Sequence, residues 1–165
     1  MWTPTALASE FRRYRRTVWR VVEAQHRIST NRLAENRDDQ ARLEELAEEA
    51  KPDLPKSAQG LHYLLASPFR YGHKSPSRFR RANVRPGIFY ASEAESTAIA
   101  ETAYWRLRFF SRSPNFVPGN RTSEHLSFSV AVSTSRAVDL SRPPFDAQVS
   151  DWTHLDDYTP CQNFA

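Results

Sequence analysis

The chain has 165 residues, 39% of them hydrophobic and 25% charged, with a net charge of +4. That is the length of one domain of about 100–200 residues and the composition of a globular rather than a disordered protein. No run approaches the ~18 apolar residues of a membrane helix, the single cysteine, Cys161, excludes an internal disulfide, and five scattered histidines lack metal-ligand spacing.

The N-terminus has a short apolar start followed by arginines. A secretory signal has the opposite order, so the expectation is a cytoplasmic protein. Residues 5–27 read as an amphipathic helix, with Leu7, Phe11, Tyr14, Val18 and Val21 on one face. A second helix is expected from a cap at Ser29 or Thr30 to about Ala50, with a thin stripe of Leu33, Leu43 and Leu46. The prolines and glycine of residues 51–60 make a linker. The chain then divides into an N-terminal helical region and linker, 1–60, and a working domain, 61–165.

Beyond the linker, LHYLL at 61–65 and the residues up to Tyr71 read as extended, interrupted by Pro68. GIFYAS at 87–92 is a short apolar strand. Ser92 and Glu95 have the spacing of a capping box, which starts a helix near Glu93 that runs to about Phe110. Residues 111–123 read as loop. HLSFSVAVS alternates cleanly, with Leu126, Phe128, Val130 and Val132 on one face. A second short strand follows at 137–140, and Thr159 with Pro160 reads as the cap and first residue of a last helix.

The basic excess sits on the middle of the chain, where residues 61–110 carry eight Lys/Arg against three Glu. A concave site lined by such charge concentrates anionic ligands, whereas a solvated basic surface is the plain alternative. Arg70 ends an apolar stretch just before Tyr71, where a guanidinium can hold a phosphate bidentately or fix the stretch by a salt bridge. Of Arg78, Arg80, Arg81 and Arg85, one is expected to point inward. Tyr90 is either a ring platform or core. The helix at 93–110 places Thr97, Ala98, Glu101, Tyr104 and Trp105 on one side. Glu101 can accept from ribose hydroxyls and stabilise an oxocarbenium-like transition state, or it can pair with Arg106 or Arg108 on the surface.

The segments FRYG around Arg70, SRF at 77–79, GIFYAS ending near Tyr90 and TAIAE at 97–101 stand in an order that resembles the RES domain, the toxin of bacterial Xre–RES toxin–antitoxin pairs. The likeness extends more loosely through HLSFSVAV and DDYTPCQ, and covers about residues 61–165. It implies an α+β fold with an ADP-ribosyltransferase-like mixed sheet and flanking helices. It also implies a toxin that depletes NAD+ by hydrolysis or phosphorolysis of the nicotinamide–ribose bond. In that likeness Glu101 and Arg70 are catalytic, with Arg70 on a phosphate, while Tyr71, Arg78 and Tyr90 bind the substrate. NAD+ is the substrate, and neither a cofactor nor a metal is implied. The implied partner is an Xre-family antitoxin protein; a homodimer is left open, and neither nucleic acid nor membrane is expected.

The family's serine belongs to a segment after the helix begun by YTPCQ, and the 165 residues stop before it. A second expectation follows: a RES remnant that binds antitoxin or nucleotide without turnover. A third, a nucleic-acid-binding module, has the basic balance and interleaved aromatics in its favour but no recognisable motif.

Overall fold

The computed structural model of the chain describes residues 3–24, 34–113 and 123–165. Helix α1 (Pro4–Ser9) leads into strand β1 (Arg12–Glu23), followed by helices α2 (Arg37–Glu49), α3 (Tyr63–Arg70) and α4 (Glu95–Ser111). Strand β2 (His125–Ala137) comes next, and two short helices, α5 (Val149–Thr153) and α6 (Thr159–Phe164), end the chain. The two strands pair in one sheet, antiparallel, so the fold is α+β with helices flanking the sheet. Among the described residues, no helix is long and apolar enough to cross a membrane.

The first element departs from the sequence expectation. Residues 12–23 form a strand, not the middle of an amphipathic helix. The run Thr17-Val18-Trp19-Arg20-Val21-Val22 explains this, because β-branched side chains lose rotamer freedom on a helix and pack well on a pleated surface. Val18 is buried on that strand. Helix α2 is capped by Asn36, whose side chain accepts from Asp39 N at 2.9 Å; the expected caps at Ser29 and Thr30 lie outside the described residues. No residue of α2 is buried, which agrees with its thin apolar stripe.

Residues 63–70, expected as strand, form α3. His62 caps it through Nδ1, which accepts from Leu64 N at 3.3 Å. Pro68 has no N–H to return to the turn before it, and the helix stops two residues later at Arg70. The expected strand at 87–92 is reduced to one bridge, in which Trp19 N donates to Ser92 O at 2.7 Å and Ser92 N donates to Trp19 O at 2.9 Å. Ser92 is thereby engaged on β1, and α4 starts without the expected capping box: its N-cap is Ala94, with no side-chain cap. Strand β2 keeps the predicted alternation. The expected strand at 137–140 gives way to a turn closed by Asp139, whose Oδ1 accepts from Ser141 N at 3.0 Å and Ser141 Oγ at 2.6 Å. The final helix is present one register earlier than expected, with Tyr158 as N-cap and Asp157 Oδ1 accepting from Thr159 N at 2.9 Å. Most of the loop expected at 111–123 lies outside the described residues.

The chain forms two compact units that interleave in sequence. The first comprises residues 1–14, 52–89 and 133–165, and the second residues 15–51 and 90–132. The first is centred on Phe145, Trp152 and Cys161, all buried, with Cys161 fully so. Phe164 closes against Phe145 and Trp152 with ring centroids 5.6 and 5.3 Å away. The Trp152 indole N–H donates to Phe145 O at 2.8 Å, so its polar edge is satisfied inside the core. Burying such aromatic side chains stabilises by roughly 1.5–3 kcal/mol each. In the second unit Val18 and Ala98 are the buried apolar residues among those described.

Candidate functional site

Arg70, Tyr71 and Arg78 belong to the first unit, and Tyr90 and Glu101 to the second. In the first unit Arg70 is the last residue of α3 and Tyr71 its C-cap. The chain doubles back over this corner at residues 83–87. A Cβ on Gly87 would lie 1.9 Å from Pro68 O and 3.1 Å from Tyr71 O, so only glycine lets the two backbones come this close. A Cβ on Gly72 would meet Arg85 Cγ and Asn83 O at 3.1 and 3.2 Å. Asn83 itself takes φ +60°, a left-handed conformation that asparagine tolerates.

The arginine cluster separates into distinct roles. Arg80 is buried, and its guanidinium donates to His73 O and Arg81 O at 3.1 Å and to Ser75 O at 2.7 Å. It is the internal strut of the loop. Arg81 donates to Asn163 Oδ1 at 2.7 Å and ties the same loop to α6. Arg78 donates through Nη1 to Trp152 O at 2.7 Å and to His154 O at 2.9 Å, with its guanidinium 5.2 Å from the Tyr158 ring centre. Gln162 adds an amide bond to Ser77 O at 2.9 Å. The loop is therefore fixed at three places before any ligand arrives.

In the second unit, sequence reasoning missed Arg20. It lies on β1, half-buried, and its Nη1 donates to Tyr90 O at 2.9 Å. Burial pulls the Arg20 guanidinium down from its ordinary pKa, and the Glu101 carboxylate pulls it back up. One guanidinium thus fixes the backbone at Tyr90 and faces the charge of Glu101. The signal in the sequence was a lone arginine inside an otherwise apolar run, TVWRVV. Read as a helix, that residue falls on the solvent side; read as a strand, it does not.

Glu101 is exposed on α4 and takes neither of the surface pairings expected for it. Arg106 donates instead to Glu23 Oε2 at 3.2 Å and Oε1 at 3.4 Å. Arg108 stacks over Trp105, 5.2 Å from the ring centre. Among the described residues the exposed Glu101 carboxylate accepts no hydrogen bond. Thr102, the next residue, bonds Ala98 O at 2.9 Å, and that side of α4 packs inward. An exposed carboxylate in the field of a fixed guanidinium can accept from ligand hydroxyls and stabilise developing positive charge.

The RES domain family matches residues 54–165, and the chain belongs to that family. No curated protein matches the chain. The match takes in Arg70, Tyr71, Arg78, Tyr90 and Glu101, while Arg20 precedes it.

Proposed function

We propose that this RES domain is an NAD+-cleaving enzyme, the toxin of a two-component toxin–antitoxin pair, which acts in the cytoplasm and is held inactive by an Xre-family antitoxin. The observation that carries the reading is the grouping of Arg20, Tyr90 and Glu101: an exposed carboxylate that accepts no hydrogen bond among the described residues and interacts electrostatically with a half-buried guanidinium, which itself donates to Tyr90 O. Family membership supplies the expectation of NAD+ as substrate.

The chemistry asked of these residues is modest. Nicotinamide is bound to ribose as a pyridinium, so it leaves as a neutral molecule and takes the electron pair of the C1′–N bond. Positive charge then builds on the ribose, and water or phosphate forms the new bond to C1′. Glu101 accepts from the ribose hydroxyls and stabilises that charge; such electrostatic assistance is worth about 10²–10³ in kcat. Arg20 fixes the backbone at Tyr90 and balances the charge of Glu101. Tyr90 packs on a ring of the substrate. In the first unit, Arg70 is the residue proposed for a phosphate and Tyr71 for a contact with the substrate. Arg78, with Nη1 committed to two carbonyls, offers the Nε–Nη2 edge of its fork to a second phosphate oxygen.

The test is a time course of nicotinamide release from NAD+, with and without inorganic phosphate, for the chain and for Glu101→Gln. Release that falls at least about 100-fold in the variant is expected, and dependence on phosphate identifies the acceptor. No release from the folded chain, or equal release from both proteins, overturns the assignment.

A further inference from the structure

Glu101 is followed on α4 by three residues to which the reaction above gives no part. Tyr104 and Trp105 meet edge-on, with ring centroids 5.4 Å apart and planes at 77°. The Arg108 guanidinium lies 5.2 Å from the Trp105 ring centre, and its Nη1 donates to the Tyr104 hydroxyl at 3.3 Å. Yet Tyr104 is 49% exposed and Trp105 46%. Two large aromatics therefore share one cation while their surfaces remain open to water. That is a poor use of apolar area for the fold alone, and it is the composition of a preorganised contact site.

The position of the cluster specifies its ligand. Trp105 stands one helical turn after Glu101, at i+4, on the same side of α4. Side chains on a helix lean toward its N-terminus, so the indole covers the turn that carries Glu101. A sugar held by the carboxylate has its attached ring within one ring-width of that indole. We propose that Tyr104, Trp105 and Arg108 form a stacking subsite for the planar pyridinium ring of an N-ribosylated substrate. The proposal rests on the NAD+-cleavage reading and adds the residues that choose which end of the dinucleotide lies beside Glu101. The indole is the better cation–π partner among aromatic side chains, which favours the charged pyridinium over the neutral purine. Arg108 lies over the indole, which remains 46% exposed and so accessible to a second ring. Because the pyridinium loses its charge as the bond breaks, this contact favours the bound substrate over the transition state, so its loss raises KM and does not lower kcat.

The experiment uses the full chain in a Glu101→Gln background, where NAD+ binds without being consumed. Calorimetric titrations with NAD+, nicotinamide mononucleotide and ADP-ribose are compared for Trp105, Trp105→Leu and Trp105→Phe. An exposed site leaves no cavity when changed, and circular dichroism checks the fold of each variant. Trp105→Leu is expected to weaken NAD+ and nicotinamide mononucleotide by about 5- to 30-fold, as for loss of one stacked ring. ADP-ribose should be unaffected, and Trp105→Phe should recover part of the loss. In the Glu101-containing chain, KM should rise by about the same factor, with kcat unchanged or higher. Equal NAD+ affinity with and without Trp105 overturns the subsite but leaves the cleavage reading intact. Loss confined to ADP-ribose also overturns it, because the ring against Trp105 is then the purine. If Trp105→Leu changes only the oligomeric state by light scattering, the cluster is a protein interface and the proposal falls. Absence of any NAD+ binding removes the subsite and the cleavage reading together.

Discussion

Gly87→Ala tests the architecture of the corner that presents Arg70 and Tyr71. A Cβ at residue 87 would sit 1.9 Å from the carbonyl oxygen of Pro68, where real contacts do not fall below 3.0 Å, so the backbones must part by about 1 Å. The obstacle is backbone on both sides: Pro68 C and Tyr71 O are also each 3.1 Å away, and no flexible side chain can yield instead. Overpacking of this kind costs about 1–3 kcal/mol. For a chain of this length each kcal/mol lowers Tm by about 2–4 °C, so the expected fall is roughly 2–12 °C by circular dichroism or calorimetry. Gly60→Ala is the control. Gly60 has φ +79° with nothing within 4 Å of its added Cβ, so its cost is conformational strain of about 1–2 kcal/mol and leaves the corner in place. If Arg70 binds substrate phosphate, only Gly87→Ala should also weaken NAD+ binding by titration. A Gly87→Ala protein with unchanged Tm and unchanged affinity would refute the claim that close backbone approach shapes this corner.

Other residues give independent tests. Arg20→Gln removes a charge-assisted hydrogen bond worth about 1.5 kcal/mol, so nicotinamide release should slow at least about tenfold; wild-type turnover would remove Arg20 from the site. Arg80→Lys loses the planar fork that reaches three part-buried carbonyls at once, and urea denaturation should show a loss of about 1–3 kcal/mol, with a loss under 1 kcal/mol contradicting its role as a strut. Asp139 and Asp157 both have carboxyls below their usual range, held there chiefly by hydrogen bonds from Ser141 and from the Thr159 backbone N–H. Lowered acids contribute stability above their ordinary pKa of about 4, and that contribution is lost as pH falls through the lowered value. Ser141→Ala should therefore move the Asp139 titration upward in carboxyl-detected NMR; an unmoved curve would contradict the hydrogen-bond cause.

The readable parts of the sequence were those where one local pattern had no competitor. The alternation of Leu126, Phe128, Val130 and Val132 gave β2 because period two over that length admits no helix. Helix α4 was legible in extent but not in its start, since Ser92 had two uses, as a cap or as a bridge to Trp19, and the bridge won. β1 was misread because Leu7, Phe11, Tyr14 and Val18 satisfy a helical spacing. The β-branched run that decides the matter needs a partner strand about a hundred residues later. α3 was misread for the opposite reason: its two turns are too short for periodicity to declare itself, and Pro68 argued for an edge strand. At the candidate site, residue types singled out Glu101 and Tyr90, but only pairing across the fold could add Arg20 to them. The arginine loop shows the same limit. Composition could not tell the strut, Arg80, from its neighbours, because what distinguishes them is which carbonyls surround each guanidinium.

The family match begins at residue 54, yet the unit that contains Glu101 takes residues 15–51 as well. Three contacts tie β1 to the α4 region. Trp19 makes both bridge bonds to Ser92, Arg20 donates to Tyr90 O, and Glu23 accepts from Arg106. The exposed ion pair is worth little, of the order of 0–1 kcal/mol. The backbone bridge and the part-buried guanidinium are worth more, because their groups lie partly out of water. β1 is also the strand paired with β2, and without it β2 would present a row of unmet N–H and C=O groups. The segment that carries the recognisable motifs is therefore not the whole of the candidate site. The acid comes from within the match, and the strand that fixes its surroundings comes from before it.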